Sequence, residues 1–317
     1  MLTFLKFFII LIILYLSICA SGRNSGVSHK RDLFIGTMIV FVLFCLILIM
    51  MMISGNRAYD GPSLKSRGDK VAVVELLGPI YGSRRVIHEL KEFSRHESVK
   101  ALVFRIDSPG GGVAASQEIY ESVRRVREKG IPVVASMGTV AASGGYYVAC
   151  AADTIMANPG TTTGSIGVIL ETIHISELLE KIGVRYEVVK SGRYKDIGSP
   201  HRPMTFEDRR QLQSYIDDAY EQFFDVVLKK RAMEKRALQN LADGRVFTGR
   251  QAQELGLVDL LGDYQDAIDL AAQMGGIDGE PVVVRMKKRE LTLLDFLFQE
   301  VKGIFLFKGM SLKYALL

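Results

Sequence analysis

Two glycine-rich clusters each follow a short apolar run of the kind that forms a buried strand. The first is DSPGGG, residues 107–112, and the second is ASGGYY, residues 142–147. In parallel α/β sheets, ligands bind at the edge where the strands end. Neither cluster is a phosphate-binding loop, because the sequence lacks G-x-x-x-x-G-K-[ST] and also lacks G-x-G-x-x-G with its acidic partner. The pattern therefore gives little support to nucleotide binding.

The second cluster has the residue types that acyl transfer needs. That chemistry requires a nucleophile at the start of a helix and two backbone N–H groups that stabilise the oxyanion. Ser143 lies between Ala142 and Gly144, so its hydroxyl is a candidate nucleophile and the Gly144 N–H a candidate donor. Gly110 in the first cluster is the candidate for the second donor. Loss of one such donor raises the barrier by about 3 kcal/mol.

A serine nucleophile also needs a base. The histidines have no obvious aspartate partner in the sequence, although a triad is defined by geometry and stays open; they are His29, His88, His96, His174 and His201. A lysine can act instead when burial lowers the pKa of its amine. Lys195 in KSGRYKDIGSP is a candidate, with Lys190 as its local competitor. Residue type alone favours a solvated surface charge for any lysine.

The surrounding segments alternate between strand and helix patterns. Apolar runs predict strands at 71–80, 99–107, 131–137, 154–158 and 184–192. Helical spacing predicts helices at 84–95, 114–128, 142–151, 176–183 and 205–232, and two more helices within 244–272 that begin near Thr248 and Asp263. This alternation predicts a layered α/β domain of parallel units with right-handed crossovers over residues 71–275. Residues 55–70 are a polar linker. Residues 276–317 are a C-terminal extension that lies on the membrane, packs against a neighbour or is only partly ordered.

Two apolar stretches precede this domain. Residues 34–54 carry no charge and are long enough to form a transmembrane helix. Residues 1–20 are either a second span or a signal peptide, and their poor cleavage site favours a span. Basic residues in the loop between the stretches favour a cytoplasmic loop and an extracytoplasmic domain, although further basic residues after the second stretch weaken this prediction. The loop residues are Arg23, Lys30 and Arg31, and the later ones are Arg57, Lys65, Arg67 and Lys70.

Composition excludes several other classes of protein. The formal net charge of +5 is modest and forms no long basic run with interleaved aromatics, so nucleic-acid binding is not expected. The three cysteines cannot form a closed disulfide framework and have no metal-ligand spacing. We therefore expect neither a metal nor a cofactor, and we expect stability to come from packing.

A family resemblance adds to these patterns. The chain contains, in this order, the segments VFRIDSPGGGV, VASMGTVAASGGYYVACAAD, NPGTTTGSIGV and KSGRYKDIGSP. Together they resemble the bacterial signal peptide peptidase A family in its short, single-domain form. The resemblance implies a Clp protease/crotonase-like layered domain of repeated ββα units. It implies a Ser143–Lys195 dyad, oxyanion donors at Gly110 and Gly144, and a lysine-orienting hydroxyl at Ser165.

The same resemblance implies a function and an assembly. The protein is expected to be a serine endopeptidase of the bacterial inner membrane that degrades cleaved signal peptides and other short hydrophobic peptides. A homo-oligomeric ring is expected, in which Lys195 acts on Ser143 of a neighbouring subunit. The alternatives are a crotonase-like enzyme that handles acyl-CoA and a catalytically inactive membrane ring scaffold. A third alternative, protein maturation rather than peptide clearance, differs only in its substrate.

Overall fold

The computed structural model describes residues 68–286 and 313–315, which lie within one compact unit, Gly61–Leu317. The two apolar stretches at 1–20 and 34–54 and the linker up to residue 67 fall outside the described residues. Within the described ranges, no helix is long and apolar enough to span a bilayer. The predicted membrane helices therefore remain predictions.

Strands and helices alternate along the described chain, as predicted. The strands are β1 (Lys70–Leu77), β2 (Val99–Ser108), β3 (Gly110–Gly112), β4 (Val133–Ala142), β5 (Thr154–Ala157), β6 (Thr162–Gly164), β7 (Val246–Thr248), β8 (Leu260–Leu261), β9 (Val282–Arg285) and β10 (Lys313–Ala315). The helices are α1 (Arg84–Phe93), α2 (Val113–Glu128), α3 (Gly144–Ala149), α4 (Ser176–Lys181), α5 (Phe206–Arg231), α6 (Lys235–Gln239), α7 (Gly249–Glu254) and α8 (Tyr264–Met274).

Most strands join one sheet in the order β7-β6-β4-β2-β1-β9, and β5 adds to β4 and β8. All neighbours are parallel except β6 and β7. The strand β9 extends this sheet from residues that the sequence analysis assigns to the C-terminal extension. The mixed, largely parallel sheet confirms the predicted α/β class.

Both faces of the sheet are covered, which explains why its strands are continuous apolar runs. Successive residues point to opposite faces, so Val71 and Val73 pack with α8 while Ala72 and Val74 enter the larger core on the other face. That larger core also receives residues of α1, α2, α3 and α5. Packing on two faces fixes the strand ends, where the glycine clusters lie.

The helix boundaries follow the capping signals in the sequence. Thr205, Thr248 and Asp263 each form a capping box at the start of α5, α7 and α8. The long predicted helix at 205–232 is confirmed as α5. Each box satisfies backbone N–H groups at a helix start. Because capping residues are recognisable by type, the starts of these three helices could be predicted from the sequence.

One predicted strand is wrong. Residues 184–192 are β-rich, but they form neither strand nor helix in the structure. All of them are exposed, and Val189 is fully exposed. A strand requires a neighbouring strand for its backbone hydrogen bonds, and this segment pairs with none among the described residues.

Candidate active site

Ser143 lies in the sharp turn between β4 and α3. Its φ of 53° and ψ of −116° are unusual for a residue with a side chain. Such a conformation costs about 1–3 kcal/mol and persists where the surrounding structure enforces it. Here the Ser143 N–H donates to the Gly164 carbonyl at 2.8 Å, and the Ser143 carbonyl accepts from the Tyr147 N–H at 2.8 Å. A strained turn from strand to helix is a known setting for a serine nucleophile.

The Ser143 side chain is buried, and its Oγ has no hydrogen-bond partner among the described residues. An unsatisfied buried hydroxyl costs about 1–3 kcal/mol. No histidine of residues 68–286 bonds to it, so this part of the chain forms no Ser-His pair. The hydroxyl is therefore available to a partner from outside the described residues of this chain.

The first glycine cluster lies beside Ser143. Ser108 in β2 pairs in register with Ala141 in β4, and the backbone then turns through Gly110, which has a φ of 98°. Gly145 of α3 approaches this loop so closely that an added Cβ would lie 2.7 Å from the Ser108 carbonyl oxygen. The structure thus brings the predicted donors Gly110 and Gly144 to the same edge of the sheet as Ser143.

The backbone on either side of Gly111, which follows Gly110, is held by Ile80. The Ile80 N–H donates to the Gly110 carbonyl at 2.8 Å, and the Ile80 carbonyl accepts from the Gly112 N–H at 2.8 Å. The Gly110 N–H donates to Ser108 Oγ at 3.2 Å, which is long for an N–H···O bond. An oxyanion could replace this weak acceptor without moving the rest of the loop.

Ser165 also lies at this edge. It directly follows Gly164, whose carbonyl holds the Ser143 N–H, and it has a φ of 49°. Its N–H donates to the Arg245 carbonyl at 2.8 Å, and its side chain is largely buried. Four of the five predicted site residues therefore converge.

Lys195 does not join them through a hydrogen bond within this chain. It lies in a turn at 193–198, its side chain is exposed, and its amine makes no hydrogen bond or ion pair with any residue that the structure describes. The turn belongs to a segment, residues 167–207, that contains no buried residue. We call this segment the lysine loop.

Lys190, the competing lysine, is already engaged. Its amine donates to the Asp196 carboxylate and, at 3.1 Å, to the Arg193 carbonyl. Asp196 also accepts two hydrogen bonds from Arg202, and these hydrogen bonds from Arg202 and Lys190 hold the pKa of the Asp196 carboxyl well below its ordinary value. Because its amine is already held by Asp196, Lys190 is less available to Ser143 than Lys195 is.

Cys150 is not a competing nucleophile. Its side chain is fully buried, and burial is the main cause that raises the pKa of its thiol to about 12. Because the thiolate is the reactive form, a thiol that stays protonated at neutral pH is inert. In the described part of the chain, no group of three or more His, Cys, Asp or Glu residues could hold a metal ion.

A second, two-stranded sheet forms next to the site. The strand β10 pairs antiparallel with β3, with Ala315 opposite Gly110 and Lys313 opposite Gly112. The open edge of the glycine cluster therefore accepts an extended backbone. Sequence analysis did not predict this pairing, since no local pattern links residues so far apart.

Sequence analysis also missed the ion pairs around Lys195. Arg202 joins Asp196 to Asp208, which is the third residue of α5 and part of its capping box. The only signal in the sequence was the short spacing of opposite charges around the motif that contains Lys195.

The chain is similar in sequence to known peptidases. The family model described as peptidase family S49 matches residues 125–278, and the model described as Clp protease matches residues 70–163. A candidate protease of Synechocystis sp. is 46% identical over 222 residues, which are 70% of this chain and 80% of the relative.

Two further relatives are longer than the matched region. A candidate signal peptide peptidase of Enterococcus faecium is 40% identical over 60% of this chain and 55% of its own length. A chloroplastic serine protease of Arabidopsis thaliana is 35% identical over 68% of this chain and 32% of its own length. The match to the Clp protease model is consistent with the predicted Clp protease-like domain.

Proposed function

Because this chain belongs to peptidase family S49 and is a serine peptidase, we propose that it is a membrane-anchored endopeptidase that cleaves short hydrophobic peptides with Ser143 and Lys195. Remnants of cleaved signal peptides are the proposed substrates, in keeping with the name of the Enterococcus faecium relative. The observation that carries the proposal is the buried Ser143 hydroxyl, which is held in a strained turn without a hydrogen-bond partner in the described residues.

The proposed reaction proceeds through an acyl-enzyme. The neutral amine of Lys195 accepts the proton of the Ser143 hydroxyl as Oγ attacks the peptide carbonyl carbon. The resulting ammonium returns a proton to the leaving amine, and the C–N bond breaks. The neutral amine then takes a proton from water as the water oxygen attacks the ester carbon. The C–Oγ bond breaks, the Lys195 ammonium returns its proton to Ser143 Oγ, and the carboxylic acid product leaves.

The two glycine clusters would stabilise the oxyanion in each tetrahedral step. The Gly144 N–H is the first of α3 and has no acceptor within the helix. The Gly110 N–H donates a long hydrogen bond, at 3.2 Å, to Ser108 Oγ. Two such donors, fixed before the reaction starts, act on charge that develops only in the transition state.

The substrate would bind in an extended form along β3. The antiparallel pairing of β10 with β3 supports this mode, because an extended backbone already fits that edge. Main-chain hydrogen bonds of this kind bind peptides with little dependence on their sequence. That property suits an enzyme that degrades varied hydrophobic segments.

The dyad is proposed to form between two copies of this chain in a ring. Ser143 Oγ has no partner within the described part of its own chain, and Lys195 has an exposed, unpaired amine there. The lysine loop also exposes large apolar side chains, among them Ile173, Leu178, Ile182, Tyr186 and Val189. An apolar surface of this kind is typical of an interface. A second copy that covers the loop would bring Lys195 to the neighbouring Ser143.

The membrane anchor is proposed from the sequence. Residues 34–54 form a charge-free stretch long enough to cross a bilayer, and residues 1–20 form a second apolar stretch. Anchoring would place the peptidase domain on the extracytoplasmic side of the inner membrane. Hydrophobic peptides released from the bilayer would then be close to the active site.

The test is turnover of a hydrophobic fluorogenic peptide by the full chain in detergent micelles. We expect Ser143→Ala and Lys195→Ala each to reduce kcat by about a thousandfold or more, while Lys91→Ala, a change at an exposed lysine on α1, keeps the wild-type rate. A fluorophosphonate should label the wild type at Ser143. Wild-type turnover by both site variants would refute the dyad, and an unlabelled Ser143 would favour the crotonase-like or scaffold alternatives.

A further inference from the structure

We propose that Arg202 is a positioning residue that ties the turn carrying Lys195 to the start of α5. This inference rests on the proposed role of Lys195 as the base. We call Asp196, Arg202 and Asp208 together the clamp. A general base must lie within hydrogen-bond reach of the proton that it takes, so the placement of its backbone affects the rate.

The first half of the clamp is a two-pronged ion pair next to the proposed base. Asp196 directly follows Lys195 in the turn. Arg202 Nε donates to one carboxylate oxygen of Asp196 at 3.0 Å, and Nη2 donates to the other at 3.0 Å. Two parallel N–H···O bonds fix both the distance and the orientation of the carboxylate. Arg202 therefore holds the Lys195 turn through the side chain of Asp196.

The second half connects Arg202 to α5. Arg202 Nη1 donates to Oδ2 of Asp208, whose side chain is only 4% exposed. The same Oδ2 accepts from the Thr205 N–H at 3.0 Å, and Thr205 Oγ1 accepts from the Asp208 N–H at 3.1 Å. Asp208 thus serves both the capping box and the clamp. Through it, the turn is anchored to a helix that packs Phe223 and Val227 into the main core.

Few other contacts hold the lysine loop. The Ile175 N–H donates to the Pro200 carbonyl at 2.8 Å, His174 Nδ1 lies 3.1 Å from the Arg202 carbonyl, and the rings of Tyr186 and His201 stack at 3.8 Å. These contacts join parts of the loop to one another. Arg193 also forms an ion pair with Glu207 of α5, but at 3.6 Å this contact is longer than a hydrogen bond. The clamp therefore supplies the hydrogen-bonded link between the Lys195 turn and α5.

The clamp stays charged at neutral and mildly acidic pH. Hydrogen bonds from Arg202 are the main cause that lowers the pKa of Asp208 to about 2, and the pKa of Asp196 lies well below its ordinary value for the same main cause. Both carboxylates are therefore ionised above about pH 4. Loss of the clamp therefore does not account for a change in activity above that pH.

The experiment compares four variants of the full chain in detergent micelles. Arg202→Lys keeps the positive charge but loses the two-pronged geometry, and Arg202→Ala loses both. Thr205→Ala breaks the capping box without removing any atom of the Arg202–Asp196 pair. Arg210→Ala removes an exposed arginine that lies two residues after Asp208. For each variant, kcat, KM, the rate of fluorophosphonate labelling and Tm are measured.

We expect Arg202→Lys and Arg202→Ala to lower kcat and the labelling rate by about 10- to 100-fold, with KM changed by less than about threefold, because a displaced base slows the chemical step. Thr205→Ala should lower Tm and keep kcat near the wild-type value. Arg210→Ala should change neither.

Three outcomes would overturn the inference in distinguishable ways. Wild-type kcat in both Arg202 variants, with Lys195→Ala inactive, would remove the role of Arg202 and leave the dyad intact. An equal loss of kcat in Thr205→Ala would assign the effect to the stability of α5. Wild-type activity in Lys195→Ala would instead reject the proposed base itself.

Discussion

At the residue scale, Ser143 combines two features that each cost free energy. Its backbone has a positive φ, and its buried hydroxyl has no partner in the described part of the chain. Each feature costs about 1–3 kcal/mol. The surrounding β4 pairs with β2, β5 and β6, and this pairing stabilises the turn. Strain that the fold maintains in this way is typical of a functional position.

Gly145 offers a test of how closely the two glycine clusters must approach. An alanine Cβ at this position would lie 2.7 Å from the Ser108 carbonyl oxygen, which is backbone and cannot rotate away. We expect Gly145→Ala to push the Gly110 loop away from α3 and to lower kcat by about 100-fold, since the proposed oxyanion donors Gly110 and Gly144 are close in sequence to this contact. The measurement is kcat with the fluorogenic peptide.

Gly160→Ala is the matched control for this substitution. An added Cβ at Gly160 meets no atom within 4 Å, so the same chemical change should leave kcat unaltered. Equal rates for Gly145→Ala and the wild type would show that the spacing of the clusters does not control the oxyanion pocket.

At the element scale, local signals predicted most of the fold. The apolar run at 99–107 is β2, buried against both layers, and the capping residue Thr205 starts α5. The run at 184–192 has similar β-rich composition, yet it forms no strand, because composition cannot supply a neighbour. The glycine clusters directly follow runs that form buried strands, so the sequence also predicted the sheet edge at which Ser143 lies. The clamp and the β3–β10 pair depend on distant contacts, so the sequence alone could not show them.

The strand β10 and an extended substrate would use the same edge of β3. A chain shortened to end at residue 312 would free that edge. We therefore expect it to show a KM at least about twofold lower at unchanged kcat, because a tethered segment competes at high effective concentration. Steady-state kinetics with the fluorogenic peptide measure both constants.

A full-length variant separates occupation of the edge from chain length. Tyr314→Pro removes a backbone N–H from β10 and disfavours strand pairing, so it should lower KM in the same direction as the truncation. If KM is unchanged in both variants, then β10 does not occupy the edge that binds substrate.

At the scale of the whole molecule, the two proposed catalytic groups differ in burial within the described residues. Ser143 lies in the core at the end of β4, whereas Lys195 lies in a loop without a single buried residue. The loop also exposes several large apolar side chains, among them Ile173, Ile182 and Val189. Under the proposed shared dyad, a second copy that covers this loop would bury the apolar side chains and complete the site in the same step.

A mixing experiment decides whether the dyad is shared between copies. Ser143→Ala and Lys195→Ala chains are each expected to be inactive, because every site in either assembly lacks one group. Equal amounts of the two variant chains are dissociated and reassembled together. A shared site then forms wherever Ser143 of a Lys195→Ala chain meets Lys195 of a Ser143→Ala neighbour. Random arrangement in a head-to-tail ring then restores about a quarter of the wild-type activity. If both groups had to come from one chain, no mixture could regain activity at any ratio, and the lysine loop would have to reach Ser143 of its own chain.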